Sequence, residues 1–315
     1  MENMPVTIMK SELQGAGVAE LVERFILSQD VAPSSRETYR RQLSAFLLWL
    51  HDRGNTSPDR DTILEYKAHL SAEGLSPFTV SGYMVSVRRF FAWTETYRLY
   101  PNIANGVKGA KKPRGFRKDP LTVEQVKRLL NSIPRDVIEG KRDYALLSLM
   151  INTGLRTIEL ERAIVGDIRQ QSGQAVLWVQ GKGRESKDDF VLLTESVLRP
   201  IREYLAARGQ LSDNEPLFTT AGNRGRGMAL CTRSIRRIVK QRLQGIDIVD
   251  GRLSAHSLRH TAVTLSLLSG ATLQQAQAMA RHANIATTTI YAHNIDRLRD
   301  APEHGIERLL QAEAA

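Results

Sequence analysis

The chain has 315 residues and a formal net charge of +10, enough length for two domains that each bury a core. That basic balance points to a polyanionic partner, although a solvated basic surface has the same composition. A single cysteine, Cys231, excludes an intramolecular disulfide and a Cys-rich zinc module and suits a reducing cytoplasm, and neither a membrane span nor a signal peptide is expected from the apolar pattern.

Residues 1–17 carry little pattern and read as a tail. Helical periodicity then places Val18, Leu21, Val22 and Phe25 on one face. Ser34 and Glu37 have capping-box spacing ahead of Tyr39, Leu43, Phe46, Leu47 and Leu50, and Gly54 stops that run. A third stretch carries Ile63, Tyr66 and Leu70 up to Gly74. A fourth, after Ser76-Pro77, lines up Val80, Met84, Val87 and Phe91 with Tyr83 and Phe90 beside them. Four helices of this size suit a small bundle over 18–105 with the aromatic residues as core. Arg36, Arg40, Arg41, Arg88 and Arg89 fall among its polar positions, where a solvated face is the ordinary reading.

Over 106–120 the apolar period disappears. Lys108, Lys111, Lys112, Arg114, Arg117 and Lys118 crowd around Gly106, Gly109, Pro113 and Gly115, the composition of an interdomain linker. A second domain is expected over 121–293. It opens on a capping box from Thr122 to Gln125 and continues through a buried apolar helix from Arg142 to Asn152. Strands follow at Ala175 to Val179 and near Asp189 to Leu193, flanking the Gly181-Lys182-Gly183 turn. Helices are expected again at Thr194 to Ala207, Thr232 to Leu243, His256 to Leu268, Leu273 to Arg281 and Thr287 to Ala292. The fold class is mainly α with a small antiparallel sheet, and 294–315 reads as a C-terminal tail with Ile306, Leu309 and Leu310 at helical spacing.

Four short segments of this second domain carry chemistry. They are Thr153-Gly154-Leu155-Arg156 with Glu159 one turn on, Gly181-Lys182-Gly183, His256-Ser257-Leu258-Arg259-His260, and Arg281-His282 followed by Tyr291. Two arginines can clamp the non-bridging oxygens of a phosphate, and a lysine can protonate a leaving alkoxide. Histidines can move or hold protons, and a tyrosine can attack phosphorus when a cationic pocket eases its deprotonation. A zinc site on His256, His260 and His282 is the competing reading. It lacks the glutamate of the His-Glu-x-x-His motif and leaves both arginines unexplained.

In this order and context the segments resemble the tyrosine recombinase, or phage integrase, family from about Leu121 to His293, with a looser likeness in the helical region before. The resemblance implies a four-helix SAM-like core-binding domain joined to an α+β catalytic domain of the DNA breaking-rejoining fold. It also implies roles: Arg156 and Arg259 as phosphate-binding arginines, Lys182 as general acid, His256 as acceptor of the tyrosine proton, His282 as a phosphate hydrogen-bond donor, and Tyr291 as nucleophile. Glu159 would orient Arg156, and His260 would be structural. No metal or other cofactor is implied.

Arg184, Lys187, the helix arginines and the basic linker would touch DNA as the two domains close around it. The partner would be duplex DNA with paired inverted sites. Four copies would assemble there from chains that are monomers in solution, with the tail docking on a neighbour, in a prokaryotic cytoplasm and on the nucleoid when bound. With the first helix opening near residue 18, no additional arm-site-binding domain is expected. One position departs from the family pattern: Ala280-Arg281-His282 stands where Leu-Gly-His is usual, which bears on the local turn. A type IB topoisomerase and a catalytically inactive DNA-binding regulator are the alternatives.

Overall fold

The computed structural model describes residues 16–111, 119–181, 183–221, 227–251 and 253–299, together with 303, 306, 307 and 310. Two compact units emerge, Met1–Arg114 and Gly115–Ala315.

The first unit holds α1 (Ala16–Ser28), α2 (Pro33–Asp52), α3 (Arg60–Ala72) and α4 (Pro77–Thr96). The capping box expected at Ser34 does not form. Proline, with its fixed φ, occupies the first turn instead, so α2 starts at Pro33 with Ala32 as N-cap and Ser34 lies inside the helix. Reciprocal capping occurs at α3, where Asp59 accepts from the Thr62 backbone N–H at 2.9 Å. Phe25, Phe46, Tyr66, Phe90 and Phe91 are fully buried, with Phe46 edge-on to both Tyr66 and Phe91, the geometry that aromatic quadrupoles favour. The start of the stretch read as a linker is packed, not free. Val107 is buried, its carbonyl accepts from Arg88 Nη1 at 3.2 Å, and the Ala110 carbonyl accepts from Ser81 at 3.2 Å.

The second unit begins with α5 (Val123–Asn131), capped reciprocally by Thr122 and Gln125 as the spacing predicts. Helix α6 (Ile138–Thr153) is buried along most of its length and leads into the short α7 (Thr157–Glu161). Its two buried charges are paired: Arg142 donates to one oxygen of Asp143, and Arg242 donates to the other at 2.7 Å. A 3-10 turn (Val165–Asp167) leads into β1 (Ile168–Gln171), β2 (Gln174–Val179) and β3 (Asp189–Leu192), an antiparallel sheet in that order. Strand β1, absent from the sequence reading, is joined to β2 by Ser172 and Gly173 at φ 49° and 77°, the two-residue turn whose twist matches a hairpin. Helices α8 (Glu195–Arg208), α9 (Thr232–Gln244), α10 (Ala255–Leu268), α11 (Leu273–Ala280) and α12 (Ala286–Arg299) complete the unit. Helix α10 is the hub, packing against α6, α9, α11 and α12. Helix α12 runs well past the expected stop at Ala292.

Candidate active site

Helix α6 ends because Gly154 adopts φ 63° and ψ 23°, a left-handed cap that costs glycine nothing. The chain turns there, buries Leu155 and makes Arg156 the N-cap of α7. Glu159, at the third position of α7, reaches back: Oε2 accepts the Arg156 backbone N–H at 2.7 Å and Oε1 accepts Arg156 Nη1 at 3.0 Å. The Glu159 side chain is fully buried, whereas Arg156 keeps 30% of its own exposed. Burial by itself would raise the Glu159 pKa. The charges of Arg281 and Arg156 outweigh it and hold the carboxyl below its ordinary value.

Arg259 comes from the second turn of α10 and is among the largest fully buried side chains. Its fork is fixed by backbone, with Nη1 donating to the Gly154 carbonyl at 2.5 Å and Nη2 donating to the Ala280 carbonyl. Burial, and then the neighbouring Arg156 and Arg281, push its pKa down to about 9. It is therefore still a cation at neutral pH.

The turn after α11 brings in the remaining groups. Arg281 caps α11 in the left-handed conformation, φ 54° and ψ 48°, which is the conformation a glycine there would favour. The arginine therefore preserves the turn. Its Nη2 donates to Glu159 Oε2 at 2.9 Å and its carbonyl accepts Arg156 Nη2 at 3.4 Å. His282 follows, its Nδ1 paired with the buried Thr288 hydroxyl at 2.9 Å.

Tyr291 lies on α12, buried against Val263, Ala276 and Ala280. Its hydroxyl is hydrogen-bonded to His260 Nδ1, and its ring lies 5.2 Å from that of His260 and 6.2 Å from that of His282. Burial raises the phenol pKa to about 12 against the opposing pull of Arg259 and Arg156. His260 and His282 are both depressed to about 4, by burial first and then by the surrounding cations and histidines. His256 is exposed, with its ring edge-on to His260 at 4.6 Å.

One unit therefore gathers Arg156, Glu159, His256, Arg259, His282 and Tyr291. His260, expected to be structural, meets the phenol, where His256 was the expected partner. Its i, i+4 spacing from His256 was the available signal. Lys182, Lys112 and Arg114 lie outside the described residues.

The remaining basic residues divide by how they are held. Lys187 is paired with the buried Asp167 at 2.6 Å, and Arg184 is exposed beside Asp188 at 3.4 Å. Arg40 is tied to Glu23 and Glu37, each at 2.6 Å, and Arg36 to the Gln29 carbonyl at 2.9 Å. Arg88 serves the Val107 carbonyl, and Arg89 is exposed over the Tyr39 ring. Arg41, Lys108 and Lys111 are exposed. Helix α9, expected at this place but without mention of its charged face, exposes Arg233, Arg236, Arg237 and Lys240 while burying Ile235, Ile238 and Val239. That basic stripe opposite an apolar one was legible in the sequence.

Comparison with known proteins identifies the family of both units. Residues 18–96 match the phage integrase N-terminal SAM-like domain, and residues 120–297, more than half of the chain, match the phage integrase family. Tyrosine recombinase XerC of Salmonella typhi is 30% identical over 284 residues, covering 86% of this chain and 90% of its own length. Tyrosine recombinase XerD of Rhizobium meliloti (strain 1021) is 26% identical over 301 residues, covering 92% and 94%. In fold, the chain is similar to the crystal structure of XerH site-specific recombinase in its post-cleavage complex with palindromic difH substrate, with a TM-score of 0.73 at 20% identity, covering 93% of this chain and 87% of that one. This chain belongs to the phage integrase family and is a tyrosine recombinase, an enzyme that breaks and rejoins DNA.

Proposed function

We propose that the recombinase cuts through a covalent tyrosyl intermediate in which Tyr291 is the nucleophile. The scissile phosphate lies between Arg156 and Arg259, whose planar forks offset charge building on the non-bridging oxygens. The Tyr291 oxygen bonds to phosphorus and the bond to the 5′ oxygen breaks, leaving a 3′-phosphotyrosyl link and a free 5′ hydroxyl. The phenolic proton passes to the His256 and His260 pair. Lys182 donates a proton to the departing 5′ oxygen, a step worth about a hundredfold or more in rate. With Nδ1 of His282 engaged by Thr288, its Nε2 is the nitrogen that meets a phosphate oxygen. The anion's charge favours the protonated ring and works against the depression of its pKa. Since the bond energy stays in the link, a 5′ hydroxyl from another cut strand can reverse the step on a new partner, with no energy source.

The observation that carries this reading is the Tyr291 hydroxyl, held at His260 within the field of both arginines. The DNA contacts are best assigned to the exposed cations: Arg41, Arg89, Lys108 and Lys111 in the first unit, and Arg184 with the α9 stripe in the second. Arg36, Arg40, Arg88 and Lys187 can reach phosphate only from within the pairings described above. We read the substrate as duplex DNA with paired inverted sites, bound by four copies in a prokaryotic cytoplasm. Ile306 and Leu310, both exposed, are candidates to dock on a neighbouring copy.

A duplex nicked near the cleavage point, which loses its short 5′ fragment on cutting, should trap a covalent adduct. Tyr291→Phe should form none while still binding the site. An adduct formed by the Tyr291→Phe chain would sink the assignment.

A further inference from the structure

We propose that Arg281 is a positioning residue for strand cutting: it shares the charge of Glu159, so that Arg156 keeps its own charge for the phosphate. The inference rests on the site reading above and adds a residue whose side chain no step of that reading uses. The Arg281 side chain is only 8% exposed and ends on Glu159 Oε2 at 2.9 Å, the oxygen that also accepts the Arg156 backbone N–H. Glu159 has no exposure of its own, so its charge must be balanced from inside the unit.

With Arg281 present, three guanidiniums (Arg156, Arg259 and Arg281) surround one carboxylate and leave two positive charges for an anion. Without Arg281, Glu159 would depend on Arg156 alone. The closest ion pair in the site would then be neutral, and phosphate would have to compete with Glu159 for the same fork.

Stability alone does not account for an arginine at this position. The backbone sits in the left-handed region, φ 54°, where glycine is at ease and an arginine is strained. Its Nε is also buried with no acceptor among the described residues. A glycine would hold the same turn, keep both carbonyls aimed at Arg156 and Arg259, and relieve both costs. The side chain therefore serves the charge balance of the cluster, not the shape of the turn.

The test compares the full-length chain with Arg281→Gly, Arg281→Lys and the Glu159→Gln/Arg281→Gly double variant. Three quantities are read on the nicked duplex: single-turnover adduct formation at saturating DNA, affinity for one site, and the thermal midpoint. Arg281→Gly should still unfold cooperatively, its relieved backbone strain offsetting part of the lost ion pair, and bind the site within about threefold of wild type, yet cut at least about tenfold more slowly. Arg281→Lys, which keeps the charge, should recover most of that loss. Adding Glu159→Gln to Arg281→Gly should recover part of it, because the carboxylate that captures Arg156 is gone.

Cutting by Arg281→Gly within about twofold of wild type would overturn the inference. So would a failure of Arg281→Lys to recover cutting, or a deeper loss in the double variant. A wild-type chain that forms no adduct would sink the underlying reading and this inference with it.

Discussion

Arg259 keeps a full charge in the interior, with one N–H of each terminal nitrogen directed to the carbonyls of Gly154 and Ala280. Such a cation is tolerable because backbone oxygens replace its water and because the buried Glu159 carboxylate lies within its field. Burial, and after it the positive field of the pocket, disfavours charge on the neighbouring histidines. His260 and His282, held down to about 4, bind fewer protons folded than unfolded, where a histidine titrates near its ordinary 6.5. The stability they allow is complete above that ordinary value and is lost as pH falls from about 6.5 towards 4, by no more than about 1.4 kcal/mol per pH unit for each. Urea unfolding midpoints should accordingly decline between pH 7 and pH 5. The variants His260→Asn and His282→Asn should flatten that decline, and an unchanged slope would show that neither ring stays neutral.

At the scale of elements, two left-handed caps aim the site, and they respond oppositely to substitution. Gly154→Ala puts a side chain on a backbone at φ 63°, while its Cβ would meet Ala262 Cβ at an ordinary 3.5 Å. The expected loss is therefore backbone strain of about 1–2 kcal/mol, read from the unfolding midpoint. Slower cutting should accompany it, because the same residue's carbonyl anchors Arg259. Arg281→Gly at the other cap relieves strain instead.

These elements were legible in the sequence to different depths. The helices were readable because a 3.6-residue apolar period is a local signal, as with Phe46 and Leu50 or Val80, Met84 and Val87. Strand β1 was not, since Ile168 is its only apolar residue and its pairing depends on β2. The start of α2 was misjudged because Pro33 outweighed a good capping pair one residue later. Within the site, the order of motifs named Arg156, Arg259, His282 and Tyr291, which the second unit brings together. It could not give the tie between Lys187 and Asp167, the shared Glu159 or the contact between His260 and Tyr291, because these join residues that only tertiary packing brings together.

Across the whole molecule, charge and chemistry are divided between two units that each bury their own core. Among the described residues, the arginines, histidines and phenol of the site all belong to the second, while exposed cations are distributed over both. Helix α12, which bears Tyr291, packs back onto α10 and α11 of the same chain. On the proposed reading, each copy thus brings its own tyrosine to its own described arginines and histidines, like two blades on one pivot. Chains broken at different blades should then fail to rescue one another. A mixture of Tyr291→Phe and Arg259→Ala protomers should form no adduct on the nicked duplex at any ratio, as a gel of the mixed reaction would record, and restored cutting would mean that protomers trade their tyrosines.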